Sequence, residues 1–103
     1  MAIKECSSLE EIRENIDLID REIVSLLVKR GKYVKQAVKF KKNISNVEDQ
    51  VRINNIITKV TNYSKDMNFD SSVIEEIYRF LIQVYIEYEK QIFMNSKNRS
   101  QTK

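Results

Sequence analysis

The sequence predicts an all-α fold with three helices in each chain. Of its 103 residues, one is glycine and none is proline, so the residues that favour tight turns are almost absent. Apolar residues recur at spacings of three and four through most of the chain, which is the period of an amphipathic helix. A chain of this length forms one domain at most, and we expect it over residues 1–95, followed by a polar tail over residues 96–103.

The first predicted helix is unusually long and runs from about Ser8 to about Lys42. Ser8 with Glu11 three residues later is typical of an N-terminal capping box. Its apolar stripe consists of Leu9, Ile12, Ile16, Ile19, Ile23 and Leu26, continued by Tyr33, Ala37 and Phe40. A helix of about 34 residues is roughly 50 Å long, whereas a compact domain of about 100 residues has a radius of gyration near 13 Å. One chain cannot cover such a helix, so we expect the chain to self-associate.

The second predicted helix follows a loop over residues 42–46. Ser45 with Glu48 resembles a second capping box, and the helix is expected to end within residues 68–71. Its apolar stripe consists of Ile53, Ile56, Ile57, Val60 and Met67.

The third predicted helix is capped by Asp70, or by Ser72 with Glu75, and runs to about Asn95. Its apolar stripe consists of Ile74, Ile77, Leu81, Val84, Tyr85, Tyr88 and Ile92. The polar residues beyond it are expected to fray.

Composition excludes several classes of function. The chain has no histidine and a single cysteine, Cys6, so histidine acid–base chemistry and thiolate metal sites are not expected, and we predict no metal and no cofactor. The N-terminus lacks a signal-peptide core and no apolar run could cross a bilayer, so we expect a cytoplasmic protein without a membrane partner.

Seven cations occur between Lys29 and Lys42, but the net charge is only +3, and nucleic acid is not a favoured partner.

Charged residues that interrupt the apolar pattern are the best site candidates, because a buried charge is costly unless it is paired. Arg30 falls in a column whose other members are Leu9, Ile16, Ile23 and Ala37. By itself, this position favours a structural role over a binding site: the Arg30 side chain would reach solvent or pair with Asp20 or Glu89. Lys41 lies eleven residues later, about 16 Å along the helix and within about 20° of the same face, which would leave room for a small dianion.

Two further positions bear on the same site. Arg13 is 17 residues before Arg30, about 25 Å away along the helix, so it could join only from a partner's helix. Glu89 shares a row with Tyr78, Ile82, Tyr85 and Ile92, which predicts partial burial; a structural ion pair with Arg30 explains this pattern equally well. Asp49 and Arg52, three residues apart, are explained more simply as a surface pair.

These residues together resemble the all-helical chorismate mutases and the related bacterial isochorismate pyruvate lyases over about residues 5–93. The resemblance rests on the segment from Leu9 to Asp20 with its arginine, on Arg30, on Tyr33-Val34-Lys35 leading to Phe40-Lys41, on Asp49 and Arg52, and on Glu89. It implies an intertwined dimer with two sites. Each site would take Arg13 from one chain and Arg30, Lys41, Arg52 and Glu89 from the other.

The resemblance also implies a role for each residue. Arg13 and Arg30 would hold the two carboxylates of the substrate, a small dicarboxylate, while Lys41 and Glu89 would hydrogen-bond its ether oxygen. Arg52 and Asp49 would line the site, with Asp49 contacting substrate or positioning Lys41, and Ile53 and Tyr85 would also contact substrate. The implied reaction, a Claisen rearrangement of chorismate to prephenate, needs no base, nucleophile or metal.

Two departures from the family pattern leave alternatives open. A glutamate at position 89, where many members have glutamine, can donate to the ether oxygen only when protonated. Ile53 stands where the mutases usually have a glutamate and the pyruvate lyases an apolar residue. The main interpretation is a chorismate mutase, which is the commoner activity in the family and the one that Glu89 favours. The alternatives are an isochorismate pyruvate lyase, a mutase for an amino-substituted chorismate, and a non-catalytic dimeric helical module that binds a partner.

Overall fold

The computed structural model describes the backbone of residues 3–101 and the side chains of residues 3–96. Within these residues it contains three α-helices, one 3₁₀ turn and no strand, which confirms the predicted all-α class. The helices are α1 (Leu9–Val38), α2 (Gln50–Asp66) and α3 (Ser71–Gln101), and the 3₁₀ turn (Ile44–Asn46) lies between α1 and α2. By its contacts the chain divides into two compact units, with the boundary between Tyr33 and Val34. No helix within the described residues is long and apolar enough to span a membrane.

The first unit consists mainly of the N-terminal part of α1. The Ser8 hydroxyl accepts a hydrogen bond from the Glu11 backbone N–H at 3.1 Å, which confirms the predicted cap. The Glu11 carboxylate accepts from the Ser7 backbone N–H at 3.2 Å and pairs with Lys4 Nζ at 3.2 Å. The apolar stripe of this unit is exposed in the chain: Leu9, Ile12, Ile16, Ile19, Ile23 and Leu26.

The end of α1 differs from the prediction, because the helix stops at Val38 and not near Lys42. The next three backbone N–H groups bond three residues back, so the chain tightens into 3₁₀-type turns up to Lys41. Asn43 then turns extended, with φ −146° and ψ 167°, and its N–H donates forward to the Asn46 side chain. The predicted angle of about 20° between the helix positions of Arg30 and Lys41 assumed one continuous helix, but Lys41 lies beyond the end of α1.

The second unit has its own core, where α2 packs against α3. Its buried members are Val47, Ile57, Ile82 and Ile86, with Ile53, Ile56 and Tyr78 packed against them. Helix α2 begins at Gln50 and is capped by Asp49, so the predicted Ser45–Glu48 capping box is wrong. Ser45 belongs to the separate 3₁₀ turn, where its hydroxyl donates to Asn43 Oδ1.

The connection between α2 and α3 depends on Asn68, whose φ of 58° lies in the left-handed region that asparagine tolerates better than most residues. The Asp70 carboxylate accepts from the Ser72 backbone N–H at 2.9 Å, which confirms Asp70 as a cap. Met67 was expected on the apolar stripe of α2 but is exposed at the end of that helix. Helix α3 extends to Gln101, beyond the predicted end at Asn95; residues 102 and 103 lie outside the described part.

Candidate active site

The predicted site residues are distributed over both units. Arg13 and Arg30 lie on α1 in the first unit, where Arg13 is exposed and Arg30 is half-buried. Because about 25 Å of helix separates them, a single α1 cannot bring both to one small site. The other predicted residues lie in the second unit: Lys41, Asp49, Arg52, Ile53, Tyr85 and Glu89.

The structure brings Lys41 and Glu89 together. The Lys41 Nζ atom is 4.0 Å from Glu89 Oε2, and the two side chains keep 26% and 13% of their surfaces exposed. The predicted burial of Glu89 is confirmed, because it belongs to the face of α3 that also carries the buried Ile82 and Ile86. Tyr85 is half-buried one turn before Glu89, so it shares that face.

The Lys41–Glu89 distance has a chemical consequence. At 4.0 Å the groups form an ion pair at its outer limit, but they are too far apart for a direct hydrogen bond. A mostly buried carboxyl group needs either a counter-charge or a proton. Lys41 can supply the counter-charge when the Glu89 carboxyl group is ionised. The pair therefore offers one cationic donor and one carboxyl group to an oxygen placed between them.

Lys41 is held by a turn that the sequence did not reveal. Its Nζ atom donates to the backbone carbonyl of Asn46 at 3.0 Å. Asn46 Oδ1 accepts from the Asn43 N–H at 3.1 Å, and the Asn46 N–H donates to the Asn43 carbonyl at 3.1 Å. The Ser45 hydroxyl donates to Asn43 Oδ1. No sequence signal could identify the acceptor, because every residue carries a backbone carbonyl.

Asp49, Arg52 and Ile53 lie at the start of α2. The Asp49 carboxylate accepts from the Arg52 backbone N–H at 3.1 Å, so the contact between these two residues is a helix cap. Both side chains are exposed. Ile53 is half-buried against the core of the second unit. The substrate contacts predicted for these three residues remain predictions.

A second charged contact ties the same segment to α3. Lys90 Nζ is 3.6 Å from Glu48 and 3.8 Å from Glu87. Lys90 and Glu48, with Ile44 and Ser45, line an open cavity of about 440 Å³. Two successive residues of α3, Glu89 and Lys90, thus contact the stretch from Lys41 to Glu48. Neither contact was predicted from the sequence, in which Lys90 looks like an ordinary surface charge and Glu48 like part of a capping box. The described side chains offer no group of three histidine, cysteine or carboxylate residues suited to a metal ion.

Comparison with protein families gives one match that covers most of the chain. Residues 12–90 match the family model described as chorismate mutase type II. The matched range includes Arg13, Arg30, Lys41 and Glu89.

Two curated relatives are similar in sequence. The isochorismate pyruvate lyase of Pseudomonas aeruginosa is 30% identical over 83 residues, which is 81% of this chain and 82% of the relative. The bifunctional chorismate mutase/prephenate dehydratase of Buchnera aphidicola is 30% identical over 96 residues, which is 89% of this chain. The chain spans only 25% of the length of that bifunctional relative.

Proposed function

The chain belongs to the chorismate mutase type II family, and from this premise we propose that it catalyses the rearrangement of chorismate to prephenate. The supporting observation is the Lys41 ammonium 4.0 Å from the mostly buried Glu89 carboxyl group. The rearrangement is unimolecular, so it requires no nucleophile, base or metal. Catalysis consists of holding the reactive conformer and stabilising the negative charge that develops on the ether oxygen. A chain without histidine can do both.

The proposed mechanism gives the Lys41–Glu89 pair the central role. Both side chains hydrogen-bond the ether oxygen of the breaking C–O bond, Lys41 as a cation and Glu89 as a protonated acid. Arg30 binds one substrate carboxylate, and Arg13 from a second copy of the chain binds the other. Arg52, Asp49, Ile53 and Tyr85 complete the walls of the site.

The proposal requires a homodimer, and two apolar helix faces support one. On α1 the exposed stripe of the first unit extends through several helical turns. On α3 a second exposed row recurs at helical spacing: Val73, Ile77, Phe80, Val84 and Tyr88. Exposed apolar surfaces of this extent are typical of association sites. A second copy of the chain is the occupant that would also bring Arg13 to a site that its own α1 cannot complete.

Isochorismate pyruvate lyase activity is the second candidate. Ile53 favours it, since an apolar residue at this position is typical of the lyases, and the Pseudomonas aeruginosa relative is named for that activity. The same cations would bind isochorismate and stabilise the departing oxygen. The two candidates therefore share Arg30, Lys41 and Glu89 and differ in substrate.

The decisive experiment offers purified protein chorismate and isochorismate in parallel, and follows prephenate and salicylate. We expect Arg30→Ala to lower kcat/KM at least about a hundredfold, because it removes a charged partner of a substrate carboxylate. Arg21→Ala, an exposed arginine on the same helix, is the matched control and should leave kcat/KM unchanged. Normal turnover by Arg30→Ala would contradict the site. An absence of both products, with steeply salt-dependent binding to another macromolecule, would favour a non-catalytic module.

The pH profile tests Glu89 separately. A glutamic acid donates only when protonated, so wild-type activity should fall as pH rises through the titration of Glu89. Glu89→Gln donates at every pH and should flatten the profile. Glu76→Gln, an exposed position on the same helix, is the control and should keep the wild-type profile. If Glu89→Gln also keeps that profile, Glu89 is not the donor.

A further inference from the structure

Lys41 needs a device that holds its ammonium group in place. It lies in the connection between α1 and α2, outside both helices. A lysine side chain carries about 2 kcal/mol of rotamer entropy, whereas a catalytic donor must be placed to within about 0.5 Å. Its ion pair with Glu89 is long, at 4.0 Å, and an ion pair of that length restrains direction only weakly.

The backbone carbonyl of Asn46 supplies a shorter and directional contact, at 3.0 Å from Lys41 Nζ. Its position depends on the turn from Asn43 to Asn46, which we call the Asn43–Asn46 turn. This turn is closed in both directions: Asn46 Oδ1 accepts from the Asn43 N–H, and the Asn46 N–H donates to the Asn43 carbonyl. The carbonyl therefore cannot rotate away unless these bonds break.

The Asn43–Asn46 turn is itself fixed to α3. Val47, directly after it, is 4% exposed and belongs to the core cluster with Ile82 and Ile86. Glu48 pairs with Lys90, the residue after Glu89. The chain therefore fixes the acceptor of Lys41 and the carboxyl group of Glu89 to one helix.

We propose that the Asn43–Asn46 turn is the positioning element of Lys41: the Asn46 carbonyl accepts from one of the three ammonium N–H groups and so orients another towards the substrate oxygen beside Glu89. Asn46 is a positioning residue in this scheme, since it acts through Lys41. The catalytic part rests on the proposed function. The positioning part concerns Lys41 alone and can be tested without turnover.

The first measurement is the reactivity of Lys41 towards trace acetic anhydride, read by mass spectrometry for each lysine. Asn46→Ala removes the oxygen that closes the turn and should raise Lys41 labelling about threefold, the factor expected for the loss of one ordinary hydrogen bond. Asn46→Leu, of similar size but without an oxygen acceptor, should do the same. Asn54→Ala is the matched control, since it removes an exposed amide–amide bond of 3.0 Å on α2. Unchanged Lys41 labelling in folded Asn46→Ala and Asn46→Leu would overturn the proposal.

The second measurement is kinetic. Charge develops on the ether oxygen only in the transition state, so Asn46→Ala should lower kcat roughly threefold to tenfold and leave KM unchanged. Asn46→Asp keeps the acceptor for the Asn43 N–H and should restore kcat. In a Lys41→Gln background, Asn46→Ala should have no further effect, because its action passes through Lys41.

The outcomes separate this proposal from the proposed function. An equal loss of kcat from Asn46→Ala with and without Lys41 would show a merely structural role and overturn the catalytic part. If the wild-type protein converts neither substrate, the proposed function fails, while Lys41 labelling still decides whether the turn holds the lysine. Circular dichroism and melting of each variant confirm that differences in labelling arise in the folded state.

Discussion

The two units differ in whether their apolar residues form a buried core. In the second unit Ile57 and Ile82 keep 7% and 6% of their surfaces exposed, because α2 and α3 cover each other. In the first unit Ile16 and Ile23 keep 49% and 45% exposed, although they lie at the same kind of helical spacing. The second unit therefore has a core of its own, whereas the apolar face of the first unit is buried only if another surface covers it. The proposed dimer assigns that role to a second copy.

Adding charge to the exposed stripe of α1 should have the largest effect. Each buried isoleucine contributes about 1.5–3 kcal/mol, so replacing Ile19 and Ile23 together by glutamate should weaken self-association at least about a thousandfold. Activity should be lost with the dimer, because Arg13 would no longer reach the site. Analytical ultracentrifugation over a range of protein concentrations, with parallel turnover assays, measures both.

Ser25→Glu is the matched control for this change. It adds one of the two negative charges of the double variant to α1, at an exposed polar position, and should leave the dimer intact. If the Ile19 and Ile23 double variant keeps the association constant of the wild type, the stripe is not the dimer interface and the comparison of the two units needs another explanation.

A cavity in the second unit should have a smaller effect of a different kind. Ile57→Ala removes buried methyl groups from the core between α2 and α3 and should lower the free energy of unfolding by about 2–5 kcal/mol, against about 0.5–1.5 kcal/mol for Ile57→Val. Urea denaturation at several protein concentrations measures it. The loss should persist at high concentration, because the core belongs to one chain. A loss that disappears there would indicate that this core also depends on association.

The contrast between units also shows what periodicity could predict. The spacing of apolar residues identified three helices and the face of α3 that carries Glu89, because burial follows directly from the helical period. It could not separate a stripe that a chain buries itself from one that it leaves exposed. Ile77, Val84 and Tyr88 were grouped with the apolar stripe of α3, yet they lie on its exposed side.

Local chemistry was harder to predict where two arrangements compete for the same residues. Ser45 with Glu48 has the spacing of a capping box, but the Ser45 hydroxyl donates to Asn43 instead. The cap of α2 is Asp49, which accepts from the Arg52 backbone N–H. The Asn46 carbonyl that holds Lys41 carries no sequence signal at all. The proximity of Lys41 and Glu89 was implied by the resemblance, which assigns both residues to one substrate oxygen, whereas the turn that positions Lys41 could not be predicted.

The smallest expected effects concern one carboxylate in each unit, and both can be read in a single titration. The Ser7 backbone N–H, Lys4 and the Ser7 hydroxyl hold the pKa of Glu11 below its ordinary 4.5. The hydroxyl and the backbone N–H of Ser72 hold the pKa of Asp70 below its ordinary 3.8. Each lowered pKa contributes stability that is present above the ordinary value and is lost as pH falls through the lowered one. Carboxyl NMR titration of Ser72→Ala should move the Asp70 midpoint up towards 3.8 and leave Glu11 unchanged. If both midpoints move together, the two helix ends are coupled and the units do not respond to acid separately.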